Sequence, residues 1–403
     1  MLTVDQALHA IHANVVPLPP RPAPLALGGT LAQDVRMDDD SPRFDRSLLD
    51  GFAVRAQDAL VGAALQFIGQ IDAGGPIFSG IVAPGNCLGI NTGGIIPNGA
   101  DAVLMVEYSH RLTRDGREFI VVNNAVHAGY GIQRRGSDAH AGDLVLSAGT
   151  RLHAAQQALC AAAGIPQPLI RKTRLAVLTT GDELLDFSTP PPLPPGRIRN
   201  SNQLMLCALA AEAGADVLDL GACPDDTPRT RTLLQRGLAE ADLLVVCGGM
   251  SLGTRDLVPP LLQEIGVTLH IEKVRMKPGK PFILGTLETA AGRKYVAGLP
   301  GNPVSAFVTF QLLVREILRR LEAATDAPNI LPARTTHALP ANGDRAFYQP
   351  CILHPAAEGL TAEILPWKGS ADIFTLARAN GLLVRPTGAK AVEAGVMVQV
   401  LTW

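Results

Sequence analysis

The sequence predicts a multidomain α/β plus β protein built around a doubly wound, mostly parallel α/β sheet domain. Its 403 residues exceed one ordinary hydrophobic core, so two to four domains are expected. Between Arg171 and Leu321, short apolar runs alternate with helical patterns, which indicates a parallel sheet with helices on both faces. Val54–Val126 and the segment from Thr325 instead carry short apolar runs separated by turn residues, which is typical of β domains.

Composition excludes several classes of protein. A net charge of −2 argues against a general nucleic-acid binder. The six cysteines form no CxxC pair and are predicted to be free thiols in a reducing compartment. No apolar run reaches the roughly 18 residues of a membrane span, and no basic segment precedes an apolar one near Met1. We therefore expect a soluble, cytoplasmic protein without membrane or nucleic-acid partners.

Local patterns predict the elements of the N-terminal part. Val4–Val15 has apolar residues at helical spacing, and Thr3 can cap that helix. Pro17–Pro24 reads as an extended linker. Leu152–Ala163 lacks Gly and Pro and is predicted to be a helix. The predicted strands of the β domain include Leu65–Ile68, Cys87–Ile90, Ala102–Val106 and Phe119–Val122.

The α/β region has the clearest alternation. Its predicted strands are Leu175–Leu178, Val217–Leu220, Leu243–Val246, Val267–Ile271, Phe282–Leu284 and Tyr295–Ala297. Its predicted helices are Gln203–Ala213, Arg229–Glu240, Asp256–Ile265 and Pro303–Leu321. The C-terminal segment is predicted to be a small β barrel or sandwich.

Polar and Gly-rich segments follow the predicted strands. In an open α/β sheet, ligands bind at the carboxyl ends of the strands, so these segments are expected to form a site. Lys277 and Lys280, three residues apart, add positive charge suited to an oxyanion or phosphate. The residues just past the strand ends are Asp182, Glu183, Asp225, Gly248, Gly249, Ser251, Asp256 and Pro300–Pro303.

Four acidic residues on one rim would repel each other unless a cation is bound. Mg²⁺ fits, because it takes few protein carboxylates and completes its shell from water and phosphate. Each acid alone is more typical of a helix N-cap than of a ligand, whereas the set of four, with Lys277 and Lys280 opposite, favours a functional site. The sequence contains no GxxxxGK[ST] motif and no GxGxxG after a strand, so nucleotide-binding P-loop and simple dinucleotide folds are disfavoured.

Taken together, the motifs resemble the family of molybdopterin molybdenumtransferases, which includes the C-terminal domain of gephyrin and its plant relatives. They follow one another in the family's order from Ser47 to Ala306. The matching segments are Ser47–Val54, Thr92-Gly93, Pro97–Val103, Arg135–Asp138, Thr180–Leu184, Ser201-Asn202, Gly248–Gly253 with Asp256, Lys277–Pro281 and Leu299–Ala306.

The resemblance implies four domains and a homodimer. It implies a discontinuous, elongated dimerisation domain over 1–45 and 132–170, an inserted β domain over 46–131, an α/β domain over 171–324 and a C-terminal β barrel over 325–403. It further implies a reaction in which adenylylated molybdopterin and molybdate give molybdenum cofactor and AMP with the help of Mg²⁺. Transient partners would be the molybdopterin adenylyltransferase and apo-molybdoenzymes.

Residue roles follow from the same resemblance. Asp50 and Thr92 are expected to reach the cleft from the partner subunit. The expected catalytic residues are Asp50, Thr92, Asp138, Glu183, Asp225, Asp256, Lys273 and Lys277. The expected substrate-binding residues are Gly248, Gly249, Ser251, Lys280, Pro300, Pro303, Ser305 and Ser370. The expected metal ligands are Asp182, Glu183, Asp225 and Asp256.

The chain departs from the family at two positions. Pro350 stands where family members carry an Arg that helps hold molybdate, with Arg345 upstream, and Asn200 stands where the family usually has Asp. The first departure motivates an alternative, a molybdopterin-binding or scaffold protein without turnover. Tungsten insertion and adenylyl transfer to molybdopterin are further alternatives, of which the second is disfavoured by the additional β domains.

Overall fold

Six strands form the central sheet of the α/β region in this computed structural model, which describes residues 1–250 and 257–403. Five strands run in one direction and Pro281–Thr289 runs against them, so the predicted mostly parallel sheet is confirmed. In spatial order the strands are Asp216–Cys223, Arg174–Thr180, Leu243–Cys247, Gly292–Leu299, Pro281–Thr289 and Thr268–Lys273.

Alternate residues of each strand enter two hydrophobic cores on opposite faces of this sheet. On the central strand Leu243–Cys247, Leu243 and Val245 belong to one core, whereas Leu244 and Val246 belong to the other. This is the pattern of a strand covered by helices on both faces. The first core is covered by Ser201–Glu212 and by Pro303–Thr309, the π-helical turn Phe310–Val314 and Arg315–Glu322, and the second by Thr227–Glu240 and Val258–Glu264.

The N-terminal helix Val4–Asn14 packs against the first core through Ala7 and Ile11. Thr3 and Gln6 form a reciprocal capping box, which satisfies two backbone N–H groups at the helix start. A three-stranded sheet follows, with Leu169–Arg171 between Arg21–Pro22 and Thr30–Leu31. The helix Ala154–Ala162 precedes the middle strand Leu169–Arg171 in the chain.

A five-stranded barrel is formed near the C-terminus. Ala346–Ala356 pairs with both Gly359–Ile364 and Gly381–Arg385, which closes the ring. The remaining barrel strands are Ile330–Thr335 and Met397–Thr402. The short strand Met276–Lys277 pairs with Ala346 and Phe347. The turn Lys277–Lys280, called here the lysine turn, is thereby joined to the barrel.

The second β-rich region is a six-stranded sheet with its own core. Its strands, in spatial order, are Ala102–Met105, Gly51–Val54, Asn86–Ile90, Ala64–Ile71, Arg117–Val122 and Ser109–Arg114. Two short ladders accompany it, Ile132–Gln133 with Arg46–Ser47 and Leu144–Leu146 with Val35–Arg36.

The chain divides into two compact units. One unit comprises Met1–Gln33, Ser147–Gln157 and Gln167–Trp403, and the other Asp34–Leu146 and Ala158–Pro166. The predicted α/β plus β class is therefore confirmed, while the four domain boundaries stay a prediction. Within the described ranges, no helix is long and apolar enough to cross a membrane.

Candidate active site

The carboxyl ends of the parallel strands and a loop of the barrel line one cleft of about 1310 Å³. Its walls bring together segments that are more than 150 residues apart in the sequence, from Thr179 to Phe374. Such convergence is what the strand-end rule predicts for an open α/β sheet. The predicted site residues that line it are Glu183, Asp225, Gly248, Gly249, Lys277, Lys280, Pro300, Pro303, Ser305 and Ser370.

The turn after Leu243–Cys247 is tightly held at the ends of its neighbouring strands. Gly248 has a φ of +100°, and a Cβ there would come within 2.3 Å of the Thr180 carbonyl oxygen. Its N–H donates to the Leu299 carbonyl at 3.1 Å. Only glycine allows this approach, so the sequence Gly248-Gly249 is needed for the geometry of the turn.

The thiol of Cys247 lies in the same wall. It donates to the Pro300 carbonyl at 3.3 Å, and burial raises its pKa to about 12. A thiol with that pKa stays protonated at neutral pH and is therefore a poor nucleophile.

The barrel loop is joined to the Pro300–Pro303 turn by two hydrogen bonds. Asn302 Nδ2 donates to Ser370 Oγ at 3.0 Å, and Val304 N donates to the Ser370 carbonyl at 3.0 Å. Asp372 stabilises this loop by accepting from the Lys368 backbone, which lowers the pKa of its carboxyl, and from Thr375. Ser370 is thereby fixed at the cleft wall.

Two carboxylates line the cleft at the end of Arg174–Thr180 and Asp216–Cys223. Glu183 folds back over Gly181, where an added Cβ would meet its Oε2 at 2.6 Å. Asp182 Oδ1 accepts from the backbone N–H of Asp225 at 3.0 Å and so supports the neighbouring turn. Among the residues that the structure describes, no group of three or more His, Cys, Asp or Glu converges on one point.

A pair of carboxylates fits Mg²⁺ better than a metal that needs a full protein shell. Mg²⁺ is commonly held by one or two carboxylates, with water and substrate phosphate completing its octahedron. Glu183 and Asp225 offer oxygen donors at the cleft wall. Asp182 lies outside the cleft lining and acts on the backbone of Asp225.

Three further predicted site residues of this unit are not among the described residues that line the cleft. Lys273 lies opposite Pro281 in the sheet and does not belong to the cleft lining among the described residues. Ser251 and Asp256 lie outside the residues that the structure describes.

Asp50, Thr92 and Asp138 lie in the second unit. Asp50 Oδ1 accepts from Thr92 N at 2.7 Å and from Thr92 Oγ1 at 2.9 Å. The backbone N–H of Thr92, with its hydroxyl, lowers the pKa of the Asp50 carboxyl. Asp138 Oδ1 accepts from Gln133 Nε2 at 2.8 Å. Asp50 and Thr92, 42 residues apart, thus form one exposed hydrogen-bonded pair.

The cleft also contains residues that the sequence interpretation left out of the site. Arg345 and Phe374 both line it, and the Phe374 side chain is 82% exposed. Asn202 Nδ2 donates to the Gly301 carbonyl at 2.6 Å and bridges two walls. Phe374 follows Ser370 by four positions, so the sequence could have suggested an aromatic residue beside that loop. The hydrogen bond between Asn202 and Gly301 depends on tertiary contact alone.

Both departures have a structural account. Asn200 Oδ1 accepts from Gln203 N at 3.2 Å, so it still caps the helix Ser201–Glu212 without the charge of an Asp. Pro350 is buried on Ala346–Ala356, opposite Leu382. Arg345 lines the cleft five residues upstream.

Three family models match consecutive parts of the chain. Residues 2–164 match the MoeA N-terminal region (domain I and II), and residues 176–320 match a probable molybdopterin binding domain. Residues 332–403 match the MoeA C-terminal region (domain IV).

Curated relatives and a solved structure extend over nearly the whole chain. A molybdopterin molybdenumtransferase of Haemophilus influenzae is 35% identical over 99% of this chain and 98% of its own length. One of Bacillus subtilis is 33% identical over 92% of this chain and 86% of its own length. The crystal structure of a molybdopterin biosynthesis MoeA protein from Pyrococcus horikoshii OT3 superposes with a TM-score of 0.78 at 26% identity, covering 100% of both chains.

Proposed function

Because the chain belongs to the MoeA family of molybdopterin molybdenumtransferases, we propose that it transfers molybdenum from molybdate into adenylylated molybdopterin, with release of AMP. The observation that carries this proposal is the cleft itself. It joins Lys277 and Lys280, two Gly- or Pro-rich turns and two carboxylates around one volume. These are the groups that an oxyanion and a phosphoanhydride require.

Each group has a role in the proposed reaction. Lys277 and Lys280 attract molybdate and compensate the charge of the substrate phosphates. At the turn Gly248-Gly249 no side chain competes with an anion for the approach to the backbone, and the N–H of Gly249 is the donor proposed there, since that of Gly248 is bound to the Leu299 carbonyl. Ser370, fixed by Asn302, orients an oxygen of the substrate by hydrogen bonding. Because these groups are positioned before the substrate binds, little reorganisation accompanies the reaction.

Mg²⁺ belongs to the proposal as a cofactor. Glu183 and Asp225 would hold it, and Asp182 would keep the turn of Asp225 in position through the backbone N–H. When bound, the ion supplies charge neutralisation of the phosphoanhydride. Asp256 completes the proposed ligand set on the ground of the family resemblance. We also assign a cytoplasmic location, in line with six free cysteines of the kind that a reducing compartment maintains.

A direct assay tests the reaction. Purified protein is incubated with adenylylated molybdopterin, Mg²⁺ and molybdate, and AMP is measured against a no-enzyme control. AMP release that depends on molybdate supports the proposal. Binding of the substrate without AMP release would establish the scaffold alternative, and consumption of ATP with metal-free molybdopterin would establish adenylyl transfer. Replacing molybdate by tungstate in competition decides the metal preference.

We further propose a homodimer whose cleft is completed by Asp50 and Thr92 of the second subunit. The two hydrogen bonds from Thr92 to Asp50 support a functional role, since they hold an exposed carboxylate in one position for a ligand. Mixing inactive Asp50→Ala and Lys277→Ala variants tests the arrangement. Hybrid dimers carry one intact cleft and should regain up to about a quarter to a half of the activity. Zero recovery in a mixture proven to exchange subunits would contradict the shared cleft.

A further inference from the structure

One end of the C-terminal barrel opens into a second cavity of about 730 Å³, called here the barrel mouth. Its lining includes Lys277, Arg345, Phe347, Gln349 and Arg385. Along Ala346–Ala356, residues Phe347 and Gln349 face this cavity, whereas Ala346 and Tyr348 pack into the core of the α/β domain. The alternation of side chains along the strand therefore directs Phe347 and Gln349 to the cavity and Ala346 and Tyr348 to the apolar core.

Arg385 is a buried cation inside the barrel mouth. It is 5% exposed and lies opposite Phe347 on the neighbouring strand. Its Nη2 donates to the carbonyls of Pro340 at 2.9 Å and Lys390 at 3.0 Å. Burial lowers the pKa of its guanidinium, and across the described ranges no carboxylate lies within ion-pair distance of it. The two carbonyl oxygens satisfy the N–H groups of Nη2 alone and leave the positive charge of the guanidinium uncompensated.

Two further cations connect the barrel mouth with the candidate active site. Lys277 and Arg345 line both cavities. Lys277 Nζ lies 4.8 Å from the ring centroid of Phe347, a cation–π contact that holds the ammonium at the junction. An anion in the barrel mouth would therefore be adjacent to the lysine turn of the cleft.

Two carboxylates also line the barrel mouth, of which Asp344 has a cationic neighbour of its own and Glu363 is hydrogen bonded to a histidine. Asp344 Oδ2 lies 3.7 Å from Arg275 Nη2, and Glu363 Oε2 lies 3.1 Å from His354 Nε2. His337 also lines the cavity, and its Nδ1 is hydrogen bonded to Thr336 Oγ1 at 2.8 Å. Lys277, Arg345 and Arg385 outnumber Asp344 and Glu363 in the lining, so the net charge of the cavity wall favours an anion.

We infer that the barrel mouth is an oxyanion-binding site, in which Arg345 and Arg385 hold free molybdate next to Lys277. The inference rests on the proposed function and assigns to this chain the cations that take over from the family arginine, whose position is filled by the buried Pro350. Two guanidinium groups can donate to a tetrahedral dianion through their N–H forks. The barrel mouth would then bind molybdate before it enters the cleft.

Binding of molybdate alone tests the inference, measured by calorimetry on the full chain without pterin. Arg345→Gln and Arg385→Gln should each raise the molybdate Kd by about tenfold or more, because each removes a charge-assisted partner. Arg385→Lys should keep part of the affinity, since the charge remains. Arg334→Ala is the matched control, because Arg334 is an exposed barrel arginine outside the cavity lining, and it should bind as the wild type does.

A stability measurement by urea unfolding accompanies each variant. If Arg385→Gln does not fold, Arg345→Gln and Arg385→Lys carry the test. Unchanged molybdate affinity in folded Arg345→Gln, or no molybdate binding by the wild type, would overturn the inference. Molybdate density beside Lys280 and Ser370 alone in a soaked crystal would do so too. A parallel titration with AMP distinguishes a site for free molybdate from a site for a nucleotide phosphate. The inference is overturned if the affinity for AMP, and not the affinity for molybdate, depends on Arg345.

The two proposals fail separately. Wild-type turnover with arginine-independent molybdate binding would overturn only the barrel-mouth site. Arginine-dependent molybdate binding without AMP release would overturn only the proposed transferase reaction.

Discussion

The backbone of Gly279 lies so close to Thr309 that an added Cβ would come within 2.6 Å of Thr309 Cγ2. Gly279 has a φ of +106° and separates Pro278 from Lys280. At this contact the lysine turn packs directly against the helix Pro303–Thr309. Both lysines of the cleft are thus positioned by a glycine between them.

Gly279→Ala should destabilise the protein by about 2–4 kcal/mol, the sum of backbone strain and overpacking. Gly292→Ala is the matched control, since Gly292 has a φ of +109° and no atom within 4 Å of its added Cβ, and it should show the strain alone. Urea unfolding measures both. In Gly279→Ala/Thr309→Ser, removal of Cγ2 should recover part of the loss. Equal costs for the two alanine variants would refute the steric contact.

Lys277→Ala should lower turnover by about 100-fold or more, because a cation beside developing or transferred negative charge is lost. Lys277 is exposed, so the unfolding free energy should change by about 0.5 kcal/mol or less. Steady-state AMP release measures the effect. Arg114→Ala, at the exposed end of Ser109–Arg114, is the control and should be fully active. A near-wild-type rate for Lys277→Ala would remove this residue from the site.

Thr92→Val should raise the pKa of Asp50 toward its ordinary value, because the hydroxyl donor to Oδ1 is lost. The shift should be partial, since the backbone N–H of Thr92 still donates to the same oxygen. Carboxyl ¹³C shifts followed by NMR against pH give the value directly. A pKa that is identical in the variant would show that the side-chain hydrogen bond has no electrostatic effect.

The sign of the associated pH effect follows from linkage. Since the pKa of folded Asp50 lies below its ordinary value of 3.8, the carboxylate stabilises the fold above that value. The stabilisation is lost as pH falls from the ordinary value through the lower, folded one. Thr92→Val should therefore reduce the difference in folding stability between pH 5 and strongly acidic solution. Thermal unfolding measures this stability, and its value at neutral pH serves as the reference.

Phe374→Ala should weaken binding of the pterin substrate by about tenfold, because an exposed aromatic ring at the cleft offers a stacking surface worth about 1–3 kcal/mol. Phe374→Tyr should bind normally. The pterin's own fluorescence allows the titration. Phe187→Ala is matched in type and exposure, at 59%, but Phe187 is outside the cleft lining and should have no effect. Similar affinities for Phe374→Ala and the wild type would exclude stacking.

Much of the α/β region could be predicted from the sequence. The strand predicted at Leu243–Val246 is observed over Leu243–Cys247, and the helix predicted at Arg229–Glu240 over Thr227–Glu240. Buried strands of a parallel sheet are continuous apolar runs, so they are readable without tertiary information. The predicted single helix Pro303–Leu321 contains a π-helical turn at Phe310–Val314, which no local pattern indicates.

The sequence by itself determined the order of strands and helices, the glycine turns at strand ends and the types of charged residue that follow them. These are properties of neighbouring residues, set by backbone sterics and apolar periodicity. Tertiary structure alone decided that Lys277 contacts Phe347, that Asn302 donates to Ser370 and that Arg385 is buried with no carboxylate of residues 1–250 or 257–403 within ion-pair distance. The hydrogen bond between Asn302 and Ser370, for example, joins residues 68 positions apart. They depend on how strands of the barrel and the sheet are placed by packing, which local sequence does not encode.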